Sequence, residues 1–388
     1  MKRIGILLSS PREVGGIYQY SISIISALNN FQKKKQFNVT YFYTDKIWAK
    51  IIPKNSKKKF IKKSKLKKLI FNLLRPTFLN KFFFFIELLN EEVEIINNSN
   101  CDLVIFPSQN ITSYQIKKKS LSTIHDLMHI YESRFKEYSK KIINNRNQHY
   151  KMICKYSDGI LVDSSLGKKH VLESFPVSKK NIYVLPFVPP EYLRNKDDTN
   201  KVIKLPKNYL FYPAQFWEHK NHINLIKAFK VVIKDKKFKN LKLLLCGAKK
   251  NNFDKVKELV TNLNLVDEVK FLGRVDDNVM RILYKNALAT IYPSFCGPTN
   301  IPPLEALMMN SPLICSNVYA MKNQVRNAAI FFDPKSTNDI KNKIIITLKN
   351  KNLRKKLIRE GKKVLKNYNQ QKFNIKLQNY LLSILAQN

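Results

Sequence analysis

With 388 residues, the chain is long enough for two hydrophobic cores, because a folded domain typically takes about 100–200 residues. Hydrophobic residues make up 44% of it and apolar runs recur along its length, which excludes a disordered basic tail. The formal net charge of +42 suggests an anionic partner, but a compositional bias toward Lys, Asn and Ile explains the charge equally well.

The cysteines and the apolar runs indicate the cellular compartment of the protein. The five cysteines form no CxxC pair, and four of them lie in or beside strand-like runs, so we interpret them as buried thiols in a reducing environment. The N-terminal apolar run is too short for a signal peptide, and no run of 18 apolar residues occurs. These features predict a cytoplasmic protein that does not span a membrane.

The first half of the chain alternates strand-like runs with amphipathic stretches. KRIGILLS is followed by apolar residues at helical spacing, and then come FNVTYFY, DLVIFPS, LSTIHDL and GILVDSS. This alternation is typical of βαβ units and a parallel sheet, which we assign to a first domain, 1–192. The proline-containing polar stretch 186–201 has no periodicity and is predicted to be a linker.

The alternation restarts in the second half, which predicts a second α/β domain over 200–372. The strand-like runs are NYLFYPA, LKLLLCG, EVKFLG and LATIYPS, with helices predicted over 222–233, 253–263 and 278–287 between them. Three helical stretches, 338–348, 353–365 and 374–385, close the chain. Glycines are scarce, and several of them fall at strand ends, where open α/β sheets bind ligands: Gly15, Gly16, Gly247, Gly273 and Gly297.

The stretch GPTNIPPLEAL, residues 297–307, predicts a capped helix start next to a loop. Thr299 or Asn300 can cap the helix, and the two prolines suit its first turn. The backbone N–H groups at a helix start favour a phosphate, whereas Glu305 can accept hydrogen bonds from sugar hydroxyls. A nucleoside diphosphate fits both features, although an ordinary capped surface helix fits the same residues.

Three further segments carry candidate site residues. Lys220 and Gln215 lie on a loop between a strand and a helix, where a lysine can hold a diphosphate. His125 and Asp126 directly follow a strand, so His125 is placed to bind a substrate and Asp126 to fix the imidazole or a neighbouring loop, although a purely structural histidine fits the same position. A zinc motif is disfavoured because the context is a strand. SSPREVGG lacks GxGxxG, which disfavours a nicotinamide enzyme.

With these four segments in this order, the chain resembles the retaining glycosyltransferases of family 4, whose GT-B fold has two Rossmann-like domains facing across a cleft. The resemblance covers most of the chain and rests on VGGIYQYS, TIHDL, PAQFWEHKNH, FLGRV and above all GPTNIPPLEAL, whose PPLEA matches the second half of the family's Glu-x7-Glu motif. Gly297 stands where the family usually has its first glutamate, and Gln215 where many members have arginine. Both substitutions resemble those of a subgroup with a GPTN-type loop.

The resemblance implies a nucleotide-sugar donor held mainly by the second domain. The implied contacts at the diphosphate are the side chains of Lys220 and Gln215. The backbone amides of Pro298, Thr299, Asn300 and Ile301 would hold it from the helix start. Glu305 would bind the ribose, and Gly273, Arg274 and Val275 would lie near the base. His125, Gly15 and Gly16 would come from the first domain, close to the sugar and the acceptor, with His125, Asp126 and Lys220 as the catalytic residues. The last helix, 373–388, would pack back on the first domain.

The resemblance also implies retention of anomeric configuration and no need for a metal or other cofactor. No residue is placed as an obvious covalent nucleophile, so we favour front-face attack, with the departing phosphate taking the acceptor's proton. The subgroup makes GDP-mannose the first expectation and UDP-hexoses the second. The expected acceptor is a hydroxyl of a growing lipid-linked surface glycan.

A basic stretch in the first half suggests a membrane contact. Nine lysines lie between residues 54 and 68, and four phenylalanines follow at 82–85. Such a segment can dock on anionic lipid, so residues 54–85 predict peripheral attachment to the inner face of the plasma membrane; a solvated basic helix before a buried aromatic one is the alternative.

Two other functions remain compatible with the sequence. A non-catalytic nucleic-acid-binding protein would account for the charge, although RNP-like aromatics and zinc-finger spacing are missing. A nucleotide-sugar epimerase of related fold would need catalytic carboxylates that the sequence does not identify.

Overall fold

The computed structural model describes residues 1–64, 67, 69, 90–194 and 204–387. They form two compact units: the first contains Met1–Leu127, Asn144–Pro186 and Gln370–Asn388, and the second contains Met128–Ile143 and Phe187–Asn369. The chain therefore passes from the first unit to the second after Pro186, close to the predicted linker. It returns to the first unit at Gln370. Residues Met128–Ile143, which the sequence analysis assigned to the first domain, pack instead with the second unit.

The first unit is built on a parallel sheet of seven strands. In chain order they are β1 (Arg3–Leu8), β2 (Asn38–Tyr43), β3 (Lys57–Phe60), β4 (Leu103–Ile105), β5 (Lys119–Thr123), β6 (Gly159–Val162) and β7 (Ile182–Val184), arranged β3-β2-β1-β4-β5-β6-β7. Strands β4 and β6 are buried along their whole length and apolar throughout, as expected of a sheet covered on both faces.

The second unit has a parallel sheet of six strands: β8 (Tyr209–Pro213), β9 (Lys242–Cys246), β10 (Val269–Gly273), β11 (Ala289–Tyr292), β12 (Leu313–Ser316) and β13 (Ala329–Phe332). Their order is β10-β9-β8-β11-β12-β13. Each unit thus has the strand order of a Rossmann-like sheet, and the predicted fold class of two Rossmann-like parallel-sheet domains is confirmed.

The helices follow the strands as the periodicity predicts. In chain order they are α1 (Gly16–Lys33), α2 (Glu91–Asn97), α3 (Met128–Tyr131), α4 (Lys140–Tyr156), α5 (Ser165–Ser174), α6 (His222–Val232), α7 (Phe253–Asn262), α8 (Asp277–Asn286), α9 (Ile301–Met308), α10 (Met321–Val325), α11 (Thr337–Lys349), α12 (Lys351–Leu365) and α13 (Gln370–Leu385). The predicted helices of the second half agree with α6, α7, α8, α11, α12 and α13 to within a few residues.

The strand orders place a ligand-binding edge in each unit. In the second sheet β8 lies between β9 and β11, so the connections after β8 and after β11 leave the sheet in opposite directions. Open α/β sheets bind ligands at such a switch point, outside the carboxyl ends of the strands. The loop that carries Lys220 follows β8, and the loop 293–300 follows β11. The two segments singled out in the second half therefore meet at one point of the fold.

Gly247, directly after β9, allows a close backbone approach at this same edge. A Cβ atom on Gly247 would lie 2.1 Å from the carbonyl oxygen of Ala214, the first residue after β8. Backbone hydrogen bonds also join these strand ends. The N–H of Ala214 donates to the carbonyl of Cys246, and the N–H of Gly247 donates to the carbonyl of Gly273. A side chain at position 247 would push apart the loops that follow three neighbouring strands.

Only part of the basic stretch 54–85 lies within the described residues. Residues 82–85 and most of the preceding segment fall outside them, so the predicted aromatic part has no structural description. The described part forms β3, an edge strand on which Lys57, Lys58 and Lys59 are exposed. Lysines on an edge strand discourage pairing with another sheet. Among the helices of the described ranges, none is both long and apolar enough to cross a membrane.

The last helix, α13, packs on the first unit. Its buried side chains are Phe373, Leu377, Leu381 and Ile384, which share one face of the helix. Gly159, at the start of β6, makes room for this face, since a Cβ there would lie 2.6 Å from Ile384 Cδ1. Tyr380 also donates a hydrogen bond of 2.8 Å to the carbonyl of Val184 on β7.

Two adjacent leucines of α13 test this packing. Leu381 is 0% exposed and Leu382 is 48% exposed, so the same substitution removes buried apolar contacts at one position and few at the other. We expect Leu381→Ala to lower the free energy of unfolding of the first unit by about 2–5 kcal/mol. Urea unfolding followed by the fluorescence of Trp48, in a Trp217→Phe background, isolates the first unit because each unit holds one of the two tryptophans.

Leu382→Ala is the matched control for that substitution, and it should change the free energy of unfolding by no more than about 0.5 kcal/mol. Equal effects of the two substitutions would contradict the packing of α13 described above.

Candidate functional site

The start of α9 is held in place by two hydrogen bonds with the side chain of a glutamine. Asn300 immediately precedes the helix, and its backbone N–H donates to Gln324 Oε1 at 3.1 Å, while Gln324 Nε2 donates to the carbonyl of Asn300 at 2.8 Å. Gln324 is buried on α10. This pair of bonds holds the loop 293–300 at the carboxyl edge of the sheet. The prolines follow in the first turn of α9, as the sequence predicts.

A lysine, a tyrosine and an asparagine meet at this edge. Lys220 Nζ lies 3.0 Å from Tyr292 OH and 3.5 Å from Asn300 Oδ1, and Tyr292 OH donates to Asn300 Oδ1 at 2.7 Å. Tyr292 ends β11 and is fully buried, whereas Lys220 is half-buried. The structure therefore brings Lys220 and the GPTN loop together, as the proposed phosphate site requires.

Asn300 does not cap the helix with its side chain. The sequence analysis proposed Thr299 or Asn300 as the cap; Asn300 occupies the position, but its side chain makes no capping hydrogen bond. Its Oδ1 is used by Tyr292 and Lys220 instead. Its Nδ2 is buried without a hydrogen-bond partner within the described part of the chain. A buried amide donor beside a lysine is suited to an oxygen of a phosphate.

Gly297 gives the loop its shape. Its φ is +120°, which lies in the region that favours glycine, and a Cβ atom would approach Asn300 Nδ2 to 2.8 Å. Gly297 thus packs against the side chain that faces Lys220. Any larger residue would displace Asn300 or change the path of the loop.

Two of the four backbone amides implied at the diphosphate are not available for it. Pro298 has no backbone N–H, and the N–H of Asn300 is used by Gln324. This corrects the implied set of amides, which ran from Pro298 to Ile301. Thr299 and Ile301 keep the implied role as a prediction. Asn300 stays in the candidate site through its side chain.

Glu305 is buried beneath the helix start between two tyrosines. Tyr284 OH donates to Glu305 Oε2 at 2.6 Å and Tyr192 OH donates to Glu305 Oε1 at 3.3 Å. Burial raises the pKa of Glu305 to about 7, only partly offset by the hydrogen bonds from Tyr284 and Tyr192. A carboxylate has about four lone-pair positions, so two tyrosines leave acceptor capacity for a ligand hydroxyl.

The remaining predicted donor residues of the second unit lie on neighbouring loops. Gln215 is half-buried, and its Oε1 accepts a hydrogen bond of 3.0 Å from the indole of Trp217. Gly273 ends β10 with a φ of +64° and open space around its Cβ position. Arg274 is exposed and Val275 half-buried, directly before α8. These residues follow β8 and β10, so they share the carboxyl edge with Lys220.

A segment from the middle of the chain supports the Lys220 loop. Glu137, from Met128–Ile143, contacts His219 Nδ1 through a short hydrogen bond, accepts from the His219 backbone N–H at 3.3 Å, and accepts from Asn251 Nδ2 at 3.0 Å. Burial alone would raise the pKa of Glu137, but hydrogen bonds from His219 and Asn251 outweigh it and lower the pKa to about 2. Glu137 therefore holds the residue next to Lys220.

The same segment also touches the other loop of the edge. Phe135 stacks on Phe295 with ring centroids 5.7 Å apart, and the guanidinium of Arg134 lies 4.7 Å from the centre of the Phe135 ring. The backbone N–H of Phe295 donates to the carbonyl of His219 at 2.8 Å. Residues from three separate parts of the sequence thus position Lys220 and Asn300.

The first unit holds the other predicted residues at the carboxyl ends of its strands β1 and β5. His125 follows β5 and is buried, with Nε2 2.9 Å from the carbonyl oxygen of Pro107, to which it donates. Burial lowers the pKa of His125 to about 4, only partly offset by the Pro107 carbonyl, so the ring is neutral at pH 7. Tyr20 packs edge-on against it, with ring centroids 5.2 Å apart.

Asp126 and the paired glycines have clear local roles. Asp126 Oδ1 lies 3.2 Å from Arg146 Nη2 on α4, and Arg146 Nη2 donates to Tyr150 OH at 2.8 Å. Asp126 therefore contacts a neighbouring helix, whereas the sequence predicted that it fixes the imidazole or a neighbouring loop. Gly15 has a φ of 65° and Gly16 begins α1; both are exposed.

Sequence reasoning missed several residues of the candidate site. Tyr292, Gln324, Tyr284 and Glu137 were not singled out, although each contacts a predicted residue or its neighbour. Tyr292 ends a strand whose following loop was identified, so strand-end position could have found it. The other three lie on elements whose placement depends on the tertiary fold, and no local pattern marks them.

Comparison with known proteins finds a family match in the second half of the chain. Residues 194–364 match the family model described as glycosyl transferases group 1. The O-antigen chain mannosyltransferase RfbU of Salmonella typhimurium is 30% identical over 184 residues, which cover 47% of this chain and 49% of that protein. The O-antigen chain mannosyltransferase B of Escherichia coli is 28% identical over 142 residues, 37% of each chain. The chain thus spans about half the length of the first relative and just over a third of the second.

Solved structures match the chain over nearly its whole length. Anabaena Alr3699/HepE in complex with UDP and glucose has a TM-score of 0.76 at 12% identity, covering 99% of this chain and 100% of that one. Sucrose-phosphate synthase from Thermosynechococcus elongatus has a TM-score of 0.72 at 17% identity, covering 100% of both chains. At such identities the likeness concerns the fold, and it confirms the predicted GT-B fold class.

Substitution of Glu137 tests whether this residue stabilises the loop that carries Lys220. Because its folded pKa of about 2 lies below the usual value of 4.5 for a glutamate, its stabilising contribution is present above about pH 4.5 and is lost as the pH falls toward 2. We expect Glu137→Gln to lower the free energy of unfolding of the second unit by about 1–3 kcal/mol at pH 7. The difference from wild type should shrink as the pH is lowered to about 3.

Urea unfolding followed by Trp217 fluorescence, in a Trp48→Phe background, measures this difference at each pH. Glu258→Gln, at an exposed position on α7, is the matched control and should behave like wild type throughout. A Glu137→Gln difference that stays constant or grows on acidification would be inconsistent with the role given to Glu137.

Proposed function

We propose that this chain transfers a sugar from a nucleoside diphosphate sugar to a hydroxyl group of a glycan, because residues 194–364 match the family model described as glycosyl transferases group 1. The observation that carries the proposal is the cluster of Lys220 Nζ, Tyr292 OH and Asn300 Oδ1, joined by contacts of 2.7–3.5 Å at the start of α9. It joins a positive charge, a helix start and a buried amide donor on one sheet edge.

Each of these features attracts the diphosphate of a donor. Lys220 supplies a compact positive charge, and the start of α9 adds the partial positive charge of a helix N-terminus. Asn300 Nδ2 is buried and needs an acceptor, which a phosphate oxygen provides. Thr299 and Ile301 are the proposed backbone donors. With Lys220 as the cation, the proposed site requires no metal.

The same groups would act on the leaving group. When the bond between the anomeric carbon and the diphosphate oxygen breaks, its electron pair stays on the diphosphate, whose negative charge rises. Lys220 and the helix start stabilise that charge, and one well-placed donor contributes about 3–4 kcal/mol in such a role. In the proposed front-face reaction the acceptor hydroxyl forms the new bond on the same side of the sugar, and its proton passes to the departing phosphate oxygen. The configuration at the anomeric carbon is then retained.

Glu305 is proposed to receive the ribose hydroxyls. Its two tyrosine partners fix the carboxyl group in one orientation, and its remaining acceptor positions suit the vicinal hydroxyls of a ribose. Gln215 is proposed to contact the diphosphate, and residues 273–275 to border the base. Their common position at the carboxyl edge of the sheet supports these assignments.

His125 is proposed to bind the transferred sugar, with Gly15 and Gly16 letting the backbone approach it. Since Nε2 of the neutral ring donates to Pro107, the other ring nitrogen, Nδ1, is the acceptor that the ring can offer to a sugar hydroxyl. A hydrogen bond of this kind orients the sugar without adding charge. Asp126 contributes by fixing α4 through Arg146.

The proposed donor is GDP-mannose, with UDP-hexoses as the second choice. Two relatives are named as O-antigen chain mannosyltransferases, which favours mannose and an acceptor on a lipid-linked surface glycan. The HepE structure contains UDP, which keeps UDP donors in the test. We further propose that the protein works in the cytoplasm at the inner face of the plasma membrane, with the basic stretch 54–85 as its contact.

Lys220 tests the donor site. We expect Lys220→Ala to weaken the binding of GDP and UDP at least about tenfold, because a hydrogen bond to a charged group contributes about 1.5–3 kcal/mol. Calorimetric titration measures the affinities. Lys227→Ala, an exposed lysine of the following helix, removes the same charge and should leave them unchanged. Unaltered affinity of Lys220→Ala for both nucleotides would rule out the proposed diphosphate site.

Substitution of His125 tests whether this residue affects turnover more than nucleotide binding. We expect His125→Ala to lower kcat at least about tenfold while nucleotide affinity changes less than about threefold, since the residue is proposed to act on the sugar rather than on the diphosphate. Acceptor-dependent release of nucleoside diphosphate measures kcat, and the one-bond carbon–proton coupling constant at the product's anomeric carbon reports retention. Inversion, or nucleotide release that does not depend on an acceptor, would contradict the proposed reaction.

A further inference from the structure

A groove on the second unit lies apart from the candidate donor site. Its volume is about 920 Å³, and its walls are α10 with the turn that follows it, the edge strand β13 and the helix α12. The lining residues are Lys322, Asn323, Arg326, Asn327, Ala329, Ile330, Phe331, Leu353, Lys356, Leu357, Glu360 and Lys363. None of the residues proposed to bind the donor is among them. A volume of this size can hold a ligand of several hundred Å³.

Positive charges face the groove from both sides. Lys322 and Arg326 lie on the wall formed by α10 and its turn, and Lys356 and Lys363 lie on α12. Glu360 is the one acidic residue among the lining residues, and it pairs with Lys363 at 2.8 Å. The lining therefore has a net positive charge even after this pair is taken into account. This charge favours an anionic ligand.

Arg326 is held in an unusual backbone conformation at this wall. Its φ is 48° and its ψ is −127°, a combination that side chains other than glycine rarely adopt. Such strain is often found where a side chain has a task that fixes its position. Here the conformation ends α10 and places the exposed arginine at the groove.

The remaining lining residues are largely apolar. Ala329, Ile330 and Phe331 come from the edge strand β13, and Leu353 and Leu357 come from α12 one turn apart. Ile330, Phe331 and Leu353 are half-buried and expose apolar surface, whereas Ala329 and Leu357 are buried. A site for a sugar phosphate or for inorganic phosphate has no need of such apolar surface. The combination of cations with an apolar patch suits a ligand that has an acidic head and an apolar body.

The helix α12 extends the positive charge beyond the groove. Lys355, Arg359 and Lys362 on this helix are exposed, next to the lining residues Lys356 and Lys363. A row of cations along one helix matches an extended anionic surface better than a single small anion. Each cation near an anionic membrane surface contributes about 1 kcal/mol to binding.

We propose that this groove binds the phosphate head of an anionic membrane lipid, together with the first part of its acyl chains. The phosphate would lie between Arg326 and Lys356, and the chains would begin on the apolar patch of β13 and α12. The row of exposed cations on α12 would meet neighbouring lipid heads. This site is in the second unit, whereas the basic stretch 54–85 belongs to the first.

Vesicle binding by the full chain tests the proposal. Protein is sedimented with phosphatidylcholine vesicles that contain or lack phosphatidylglycerol, at about 0.15 M salt. The groove variant carries Lys322→Gln, Arg326→Gln, Lys356→Gln and Lys363→Gln. The matched control carries Lys227→Gln, Lys234→Gln, Lys237→Gln and Lys239→Gln, which remove the same charge from exposed positions elsewhere on the second unit.

We expect the groove variant to bind phosphatidylglycerol vesicles at least about tenfold more weakly than wild type, and the control to lose no more than about twofold. Equal losses in the two variants would attribute binding to bulk charge and overturn the proposal. If the groove variant does not fold, as judged by thermal unfolding, the double variant Lys322→Gln/Lys356→Gln replaces it, because both side chains are exposed.

Competition distinguishes a lipid from a free phosphate. Glycerol phosphate and inorganic phosphate, each added at millimolar concentration, should leave the vesicle binding of wild type largely unchanged. Full displacement of wild type from the vesicles by either compound, with no effect of that compound on the groove variant, would show that the groove is a site for a soluble phosphate compound. That result would overturn the lipid assignment.

Discussion

The hydrogen bonds that converge on Asn300 determine the geometry of the candidate site. Gln324 holds its backbone from one side, and Tyr292 and Lys220 hold its side chain from the other. These bonds are possible because β8 and β11 are neighbours in the sheet although distant in sequence, so the loops after them meet. The order of the buried strands thus places the positive charge at the start of α9. The proposed phosphate site depends on that contact.

The segment Met128–Ile143 adds a second constraint on the same residues. It follows His125 and Asp126 directly in the chain, yet it packs with the second unit, where Glu137 holds His219 and Phe135 stacks on Phe295. Residues proposed to contact the sugar are therefore connected by a short piece of chain to residues that position the diphosphate site. A substitution in this segment can affect both steps without touching either ligand.

The sequence predicted the repeated alternation of strands and helices well, since both sheets are buried and each helix has one apolar face. It also identified Lys220 and the GPTN loop, because both follow strand ends. It did not predict the use of the Asn300 side chain, since the choice between capping a helix and bonding Tyr292 depends on a tertiary contact. For the same reason the sequence did not identify Gln324 and Glu137, since their hydrogen-bond partners are distant in sequence.

The large positive charge has different consequences at different places, and burial and neighbours separate them. On β3, lysines stand exposed on an edge strand, where they discourage unwanted pairing. At the switch point, Lys220 is half-buried beside a helix start, so its charge acts over a short distance in a partly desolvated site. Along α12, cations border an apolar patch, a combination that favours an amphiphilic anion. A compositional bias can therefore supply the lysines, while the fold decides which of them have a partner to bind.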